Sequence, residues 1–353
     1  MKAVLIWKDG TILYGKGFGA QTTQIGELVF NTSMIGYQEA LTDPSYAGQI
    51  LTMSYPLIGN YGINEKEYES KAVHVEGYVV REASSEGEHR ESFENLDAFL
   101  KEFNVPGIEG IDTRYIVRKL RTGGVMPALL ATYENSMDVK KLREELEKFD
   151  YGNVDFVEKV TRKTPETYGK GRTVVLIDLG VKMGIVRELV ERNVRVVVLP
   201  SFASLEEIER YEPAGIVISN GPGDPGILTG IHALIRKLAE KDYPLMGICL
   251  GHQVLAHAFG GKTFKLKFGH RGSNHPVLDK LQNKIAITTQ NHGYAVDKAL
   301  PKNFELTHVN VNDGTVEGMQ HADKPVFSVQ YHPESSPGPR DSKYLFDEFL
   351  KML

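Results

Sequence analysis

The 353-residue sequence contains one cysteine, Cys249, so no disulfide can form within the chain and a disulfide-stapled fold is excluded. No run approaches the roughly 18 apolar residues that a membrane-spanning helix needs. Neither charge sign dominates: the net charge of −5 offers no electrostatic footing for nucleic acid or an anionic membrane. Internal repeats and low-complexity tracts are missing. So is the phosphate-cradling G-x-x-x-x-G-K-[ST] loop. The opening M-K-A-V-L-I-W-K-D-G meets an acidic residue too early for a secretory h-region, and the sequon Asn31-Thr32-Ser33 has no meaning without export. These absences leave an ordinary globular composition, 41% hydrophobic and 25% charged, and the expectation of a cytoplasmic protein. A lone free cysteine is most often a small buried hydrophobe, so only its surroundings can make Cys249 more than that.

The length suits two domains at roughly 100–200 residues each, and two rhythms are present. In the first half, short β-type runs at 3–7, 28–30 and 73–80 are separated by Gly- and Asp-rich turns. Leu96, Phe99, Leu100 and Phe103 follow helical spacing. A second helix is expected to start at Asp112 and stop at Gly123-Gly124, and a third lies near 137–149. G-K-G-F-G-A at 15–20 is not a dinucleotide-binding fingerprint and reads as a hairpin or bulge. The polar stretch 151–171 has no sustained period and is read as a linker. From Arg172 onward, apolar runs at 173–177, 194–199, 215–219 and 244–248 alternate with helical stretches at 183–192, 205–211 and 227–241. That alternation predicts an α/β domain with a mainly parallel sheet flanked by helices. Ligands in such sheets bind beyond the carboxyl ends of the strands.

The strand at 244–248 runs directly into Cys249 and then L-G-H-Q-V-L-A-H-A-F-G-G, which places a thiol on a sharp strand-to-helix turn. Gly247 and Gly251 allow strand and helix to approach without Cβ clashes. The unpaired N–H groups and dipole of a helix N-terminus favour a thiolate, and the Leu250 N–H points to where an oxyanion would form. Gln253, one turn on, can face the same pocket. A thiolate nucleophile needs a base and a group to orient it. The run at 326–331 leads into His332-Pro333-Glu334, where residues i and i+2 of an extended chain share a side. Alone, H-P-E reads as a turn; beside Cys249 it supplies base and carboxylate. I-S-N-G-P-G-D-P at 218–225 is either a plain loop or a source of N–H donors at Gly221 and Gly223. T-T-Q-N-H-G-Y-A-V at 288–296 offers Asn291, Gly293 and Tyr294 as a polar rim, and K-F-G-H-R-G-S-N-H-P-V at 267–277 reads as a Gly- and His-rich loop. His252, His270, His275 and His292 are scattered without ligand-type spacing, so no metal site is expected.

Through N-G-P-G-D-P, G-I-C-L-G-H-Q, Q-N-H-G-Y-A-V and Q-Y-H-P-E-S-S-P-G-P, residues 172–353 resemble a class I glutamine amidotransferase domain. Residues 1–150 resemble the N-terminal domain of the carbamoyl-phosphate synthetase small-subunit family, a smaller mixed α/β domain, in the stretches 26–50, 55–62 and 107–114. The resemblance implies Cys249 as nucleophile, His332 as base and Glu334 as its partner. It also implies a glutamine site of Ser45, Gly221, Gly223, Leu250, Gln253, Asn291, Gly293 and Tyr294. Many relatives have Phe where Tyr294 stands, and Arg271 and Ser273 replace a common His/Gly pairing. The implied function is hydrolysis of L-glutamine to glutamate and ammonia, the ammonia passing to a large-subunit partner that makes carbamoyl phosphate from bicarbonate and ATP. No cofactor is expected in this chain; ATP and a divalent metal belong to the partner. The competing readings are an amidotransferase serving another synthetase, such as one for anthranilate or GMP, and a catalytically silent regulatory subunit.

Overall fold

Val4 and Ile6, alternate residues of the strand Lys2–Trp7, share a buried cluster with Leu129 and Ala131, alternate residues of Met126–Tyr133. Alternate residues of a strand share one face in this way, and here the residues between them are buried too. Pairing continues around a closed barrel in the order Lys2–Trp7, Ile12–Gly19, Pro106–Glu109, Gly77–Val79, Gln49–Met53, Thr23–Asn31 and Met126–Tyr133. The computed structural model describes all 353 residues and divides them into two units, Met1–Val154 and Asp155–Leu353. The barrel belongs to the first. Its helix Thr113–Gly123 starts where Asp112 accepts a hydrogen bond from the Tyr115 N–H at 2.9 Å. It ends at Gly124, whose φ is 92°, as the capping residues lead one to expect. The helices Leu96–Glu102 and Val139–Leu146 lie within the expected segments. G-K-G-F-G-A runs into the strand Ile12–Gly19, which forms a hairpin with Lys2–Trp7.

The second unit holds one ten-stranded sheet, ordered Glu166–Tyr168, Val194–Pro200, Arg172–Asp178, Gly215–Ile218, Leu245–Ile248, Val326–Val329, Val316–His321, Phe304–Asn310, Thr263–Asp279 and Lys284–Val296. The five strands from Val194–Pro200 to Val326–Val329 are parallel, and antiparallel strands extend both sides. On Arg172–Asp178, Val175 and Ile177 join one core cluster, while Val174 and Leu176 join the other. Burial on both faces explains the unbroken apolar runs of the parallel strands. At roughly 1.5–3 kcal/mol per fully buried aliphatic side chain, it also makes them the stable centre of the unit. No helix is long and apolar enough to cross a membrane.

Two expectations require correction. The stretch 151–171 is not a bare linker: from Asp155 it belongs to the second unit, as the helix Phe156–Val160 and the edge strand Glu166–Tyr168. The Asp155 side chain caps that helix, Val157 enters the core, and Arg162 pairs with Asp178 at 2.8 Å. Elements of five and three residues are too short to show a period. Likewise, 267–277 is not a loop but part of the strand Thr263–Asp279, paired with Lys284–Val296. Register shifts between Lys265 and His270 and between Gly272 and His275 mark the glycine-rich irregularities that hid the strand.

Helix Leu250–Ala258 approaches the strand Gly215–Ile218 so closely that a Cβ on Gly251 would stand 2.2 Å from the Ile218 carbonyl oxygen. Gly251→Ala should therefore cost about 3 kcal/mol or more. Gly230, in the first turn of the helix Thr229–Glu240, has nothing within 4 Å of such a Cβ, and Gly230→Ala should stabilise by about 0.5–1 kcal/mol. Urea unfolding of both variants beside the parent checks the pair; equal stabilities would refute the close approach.

Candidate active site

The strand Leu245–Ile248 ends at Cys249, whose φ of 55° and ψ of −104° turn the chain into the helix Leu250–Ala258. A side chain held in so sparsely populated a region costs of order 1–3 kcal/mol and persists only where its surroundings enforce it. They do so here: the Cys249 N–H donates to the Val329 carbonyl at 2.9 Å, and the Gly251 N–H donates to Ser219 at 3.0 Å. His252 and Gln253 both donate to the Cys249 carbonyl, while the Leu250 N–H makes no backbone hydrogen bond. Cys249 is only 1% exposed and joins one of the two apolar core clusters, yet polar atoms stand close to its sulfur. The sulfur lies 3.6 Å from the Asn291 carbonyl oxygen and 3.9 Å from the Gln330 amide nitrogen.

His332 follows the strand Val326–Val329, and its backbone N–H donates to the Thr289 carbonyl at 2.9 Å. Its Nδ1 is 2.7 Å from Glu334 Oε1, the contact expected of residues i and i+2. Its Nε2 has no complete hydrogen bond, yet the Cys249 sulfur is near enough to add to the forces that charge the ring. Behind the pair stands a residue that sequence reasoning missed. Lys182 Nζ donates to Glu334 Oε1 at 3.0 Å and to the Ser335 carbonyl at 2.7 Å. The signal was available: V-K-M-G follows the strand Arg172–Asp178, another carboxyl end of the parallel sheet.

The remaining candidates divide between the units. Gln253 Nε2 donates to the Tyr294 carbonyl at 2.7 Å, and Asn291 reaches the sulfur through its own carbonyl. Gly221 packs against Leu250, where a Cβ would meet Leu250 Cδ2 at 2.8 Å. Gly223 has a φ of 91°, on the loop after the strand Gly215–Ile218. Gly293 lies on Lys284–Val296 between Asn291 and Tyr294. Ser45 belongs to the first unit, in the turn Pro44–Tyr46, where its N–H donates to Asp43.

Three of the histidines scattered in sequence, His270, His275 and His292, are gathered by the sheet, while His252 lies on the helix Leu250–Ala258 beside Ser328. His270, His292 and Glu317 place ligating atoms within 4.8 Å of one another. The carboxylate accepts from Asn310 at 2.8 Å and from Gln290 at 2.9 Å. His270 Nε2 pairs with Asp313 at 2.9 Å, and His292 lies between the Tyr294 carbonyl and the Gln290 side chain. This network ties down the strand that carries Asn291 and Tyr294.

Comparison with known proteins decides which family owns this geometry. Residues 175–352 match the model described as glutamine amidotransferase class-I, and residues 5–130 match that of the carbamoyl-phosphate synthase small chain, CPSase domain. A carbamoyl phosphate synthase small chain from Archaeoglobus fulgidus is 50% identical over 100% of this chain and 99% of its own length. Another, from Methanocaldococcus jannaschii, is 49% identical over 100% and 99%, and one from Akkermansia muciniphila is 47% identical over 100% and 98%. The chain belongs to the carbamoyl phosphate synthase small chain family. Its second unit carries the class-I glutamine amidotransferase domain, and its enzyme class is that of the glutamine-hydrolysing carbamoyl phosphate synthases. The N-terminal match weighs against the reading in which the amidotransferase serves an unrelated synthetase.

Within this domain the buried charges set a pH dependence. Burial opposes charge on His332, but the Glu334 carboxylate and the Cys249 sulfur together outweigh it and raise the ring's pKa from 6.5 to about 10. Burial also opposes ionisation of Glu334, yet Lys182 and His332 bring its pKa down from 4.5 to about 2. A raised pKa contributes stability that is complete below pH 6.5 and lost as pH rises through about 10. A depressed one contributes stability present above pH 4.5 and lost as pH falls through about 2. Urea unfolding of the parent and Glu334→Gln should differ most between pH 4.5 and 6.5, the gap narrowing toward both extremes. A gap of constant size across pH would contradict this coupling.

Proposed function

We propose that this chain hydrolyses L-glutamine to glutamate and ammonia through a γ-glutamyl thioester on Cys249, with His332 as acid–base and Glu334 as its orienting partner. One observation carries the proposal: two strand ends bring a sulfur, an imidazole and a carboxylate into one buried cluster, with His332 bonded to Glu334 at 2.7 Å and influenced by Cys249. The Cys249 sulfur attacks as thiolate, its proton resting on the His332 ring. Charge developing on the amide oxygen is met by the Leu250 N–H and by N–H groups of Gly221–Gly223. The amide nitrogen leaves as ammonia after taking the His332 proton. The ring, now neutral, removes a proton from water as that water attacks the thioester, and collapse returns the thiolate and releases glutamate. Gly221, Gly223, Leu250, Gln253, Asn291, Gly293 and Tyr294 hold the glutamine in this scheme.

The name small chain, borne by the relatives, supports a large partner that uses the ammonia to make carbamoyl phosphate from bicarbonate and ATP. ATP and divalent-metal chemistry are assigned to that partner, and none to this chain. Cys249→Ser should lower glutamine turnover by at least about a thousandfold, while synthesis by the complex from added ammonia persists. Unchanged glutamine turnover would favour a silent subunit. The unmutated chain alone, given ATP, bicarbonate and glutamine, should release glutamate without carbamoyl phosphate.

A further inference from the structure

Two residues before His332, the fully buried Gln330 occupies a place that the scheme above leaves unused. Its side-chain orientation is fixed by a backbone oxygen. The Tyr294 carbonyl can only accept, so the Gln253 atom 2.7 Å away is the amide nitrogen. That nitrogen also lies 3.0 Å from one end of the Gln330 amide, which must be the oxygen, because two N–H groups do not pair. The other end of Gln330, 3.9 Å from Cys249 Sγ, is therefore its nitrogen, a donor.

We infer that Gln330 is a further catalytic residue, donating its side-chain N–H to the Cys249 sulfur and holding the thiolate. The thiol form has its own partner, the Asn291 carbonyl at 3.6 Å. Once the proton is gone, that carbonyl faces a negative sulfur and repels it. What then favours the charge is the His332 ring, with Glu334 and Lys182 behind it, the N-terminal end of Leu250–Ala258, and the Gln330 N–H. Gln253 acts one step back, keeping Gln330 turned nitrogen-first toward the sulfur.

The inference rests on Cys249 being the nucleophile, and two variants of the full chain test it. Gln330→Glu keeps the oxygen that Gln253 needs and removes the donor; Gln330→Met removes the donor without adding charge. In both, the pH midpoint of Cys249 alkylation by iodoacetamide should rise by about one unit. Glutamine kcat should fall about tenfold with KM within about twofold, a change worth ~1.4 kcal/mol. An unchanged midpoint in either variant overturns the inference, since a shift in Gln330→Glu alone would report the new charge rather than the lost donor. A readout independent of substitution is the side-chain amide proton resonance of Gln330 in the parent chain. It should move with the alkylation midpoint and stay constant in Cys249→Ala; a constant resonance in the parent overturns the role even if both variants unfold. If Cys249→Ser abolishes turnover while the Gln330 variants match the parent, the hydrolytic scheme stands and Gln330 drops out. A Cys249→Ser variant that turns over glutamine normally removes both.

Discussion

The contact on which the second unit depends is the approach of the helix Leu250–Ala258 to the end of the strand Gly215–Ile218, with no room for a side chain between them. Gly251 lies against the Ile218 carbonyl, and Gly247 in turn lies under the Gly251 carbonyl, where a Cβ would stand 2.7 Å away. This packing forces the bend at Cys249 and keeps its backbone at φ 55°. The conformation is costly, so its persistence implies that the core on both faces of the sheet over-determines it. The position of the sulfur is therefore set by glycines, aliphatic packing and the backbone hydrogen bonds of Cys249 and Gly251 rather than by contacts of the sulfur itself.

The same sheet explains why residues far apart in sequence meet. Arg172–Asp178, Gly215–Ile218, Leu245–Ile248 and Val326–Val329 are parallel, so their carboxyl ends lie on one edge. Lys182, Gly221, Cys249 and His332 each follow one of these strands. The antiparallel strand Lys284–Val296 closes the arrangement from another side, its Thr289 bridging His332.

That division also separates what the sequence made legible from what it did not. The parallel strands could be read because burial on both faces leaves continuous β-branched runs, and the sharp turn at Cys249 could be read because strand, cysteine and helix are contiguous. His332 and Glu334 were legible as a pair because the pleat itself brings i and i+2 together. The closed barrel was not: its pairing includes Ile12–Gly19 with Pro106–Glu109 and Gly77–Val79 with Gln49–Met53, non-local choices that no local period records. The Thr263–Asp279 strand was obscured by its bulges, and the histidine network followed it out of view. Lys182 escaped for a different reason. A lysine in sequence signals a solvated surface, whereas in the folded chain this one is 3% exposed at the side chain and bound to a carboxylate.

The electrostatics of that lysine bear on how the sulfur can work while enclosed. Bringing charges out of water is expensive unless each finds a counter-charge. Glu334 is shared by two cations, Lys182 and His332, through the same oxygen, Oε1. A negative sulfur beside the ring supplies a second anion to this set, so the thiolate–imidazolium state spreads the charge where a neutral thiol leaves it concentrated on one carboxylate. Neutral groups complete the balance: the Asn291 carbonyl suits the thiol, and the Gln330 N–H suits the thiolate. The pocket thus holds one fixed dipole near the sulfur for each protonation state. That is the condition under which buried electrostatics lower a barrier instead of merely raising the cost of folding.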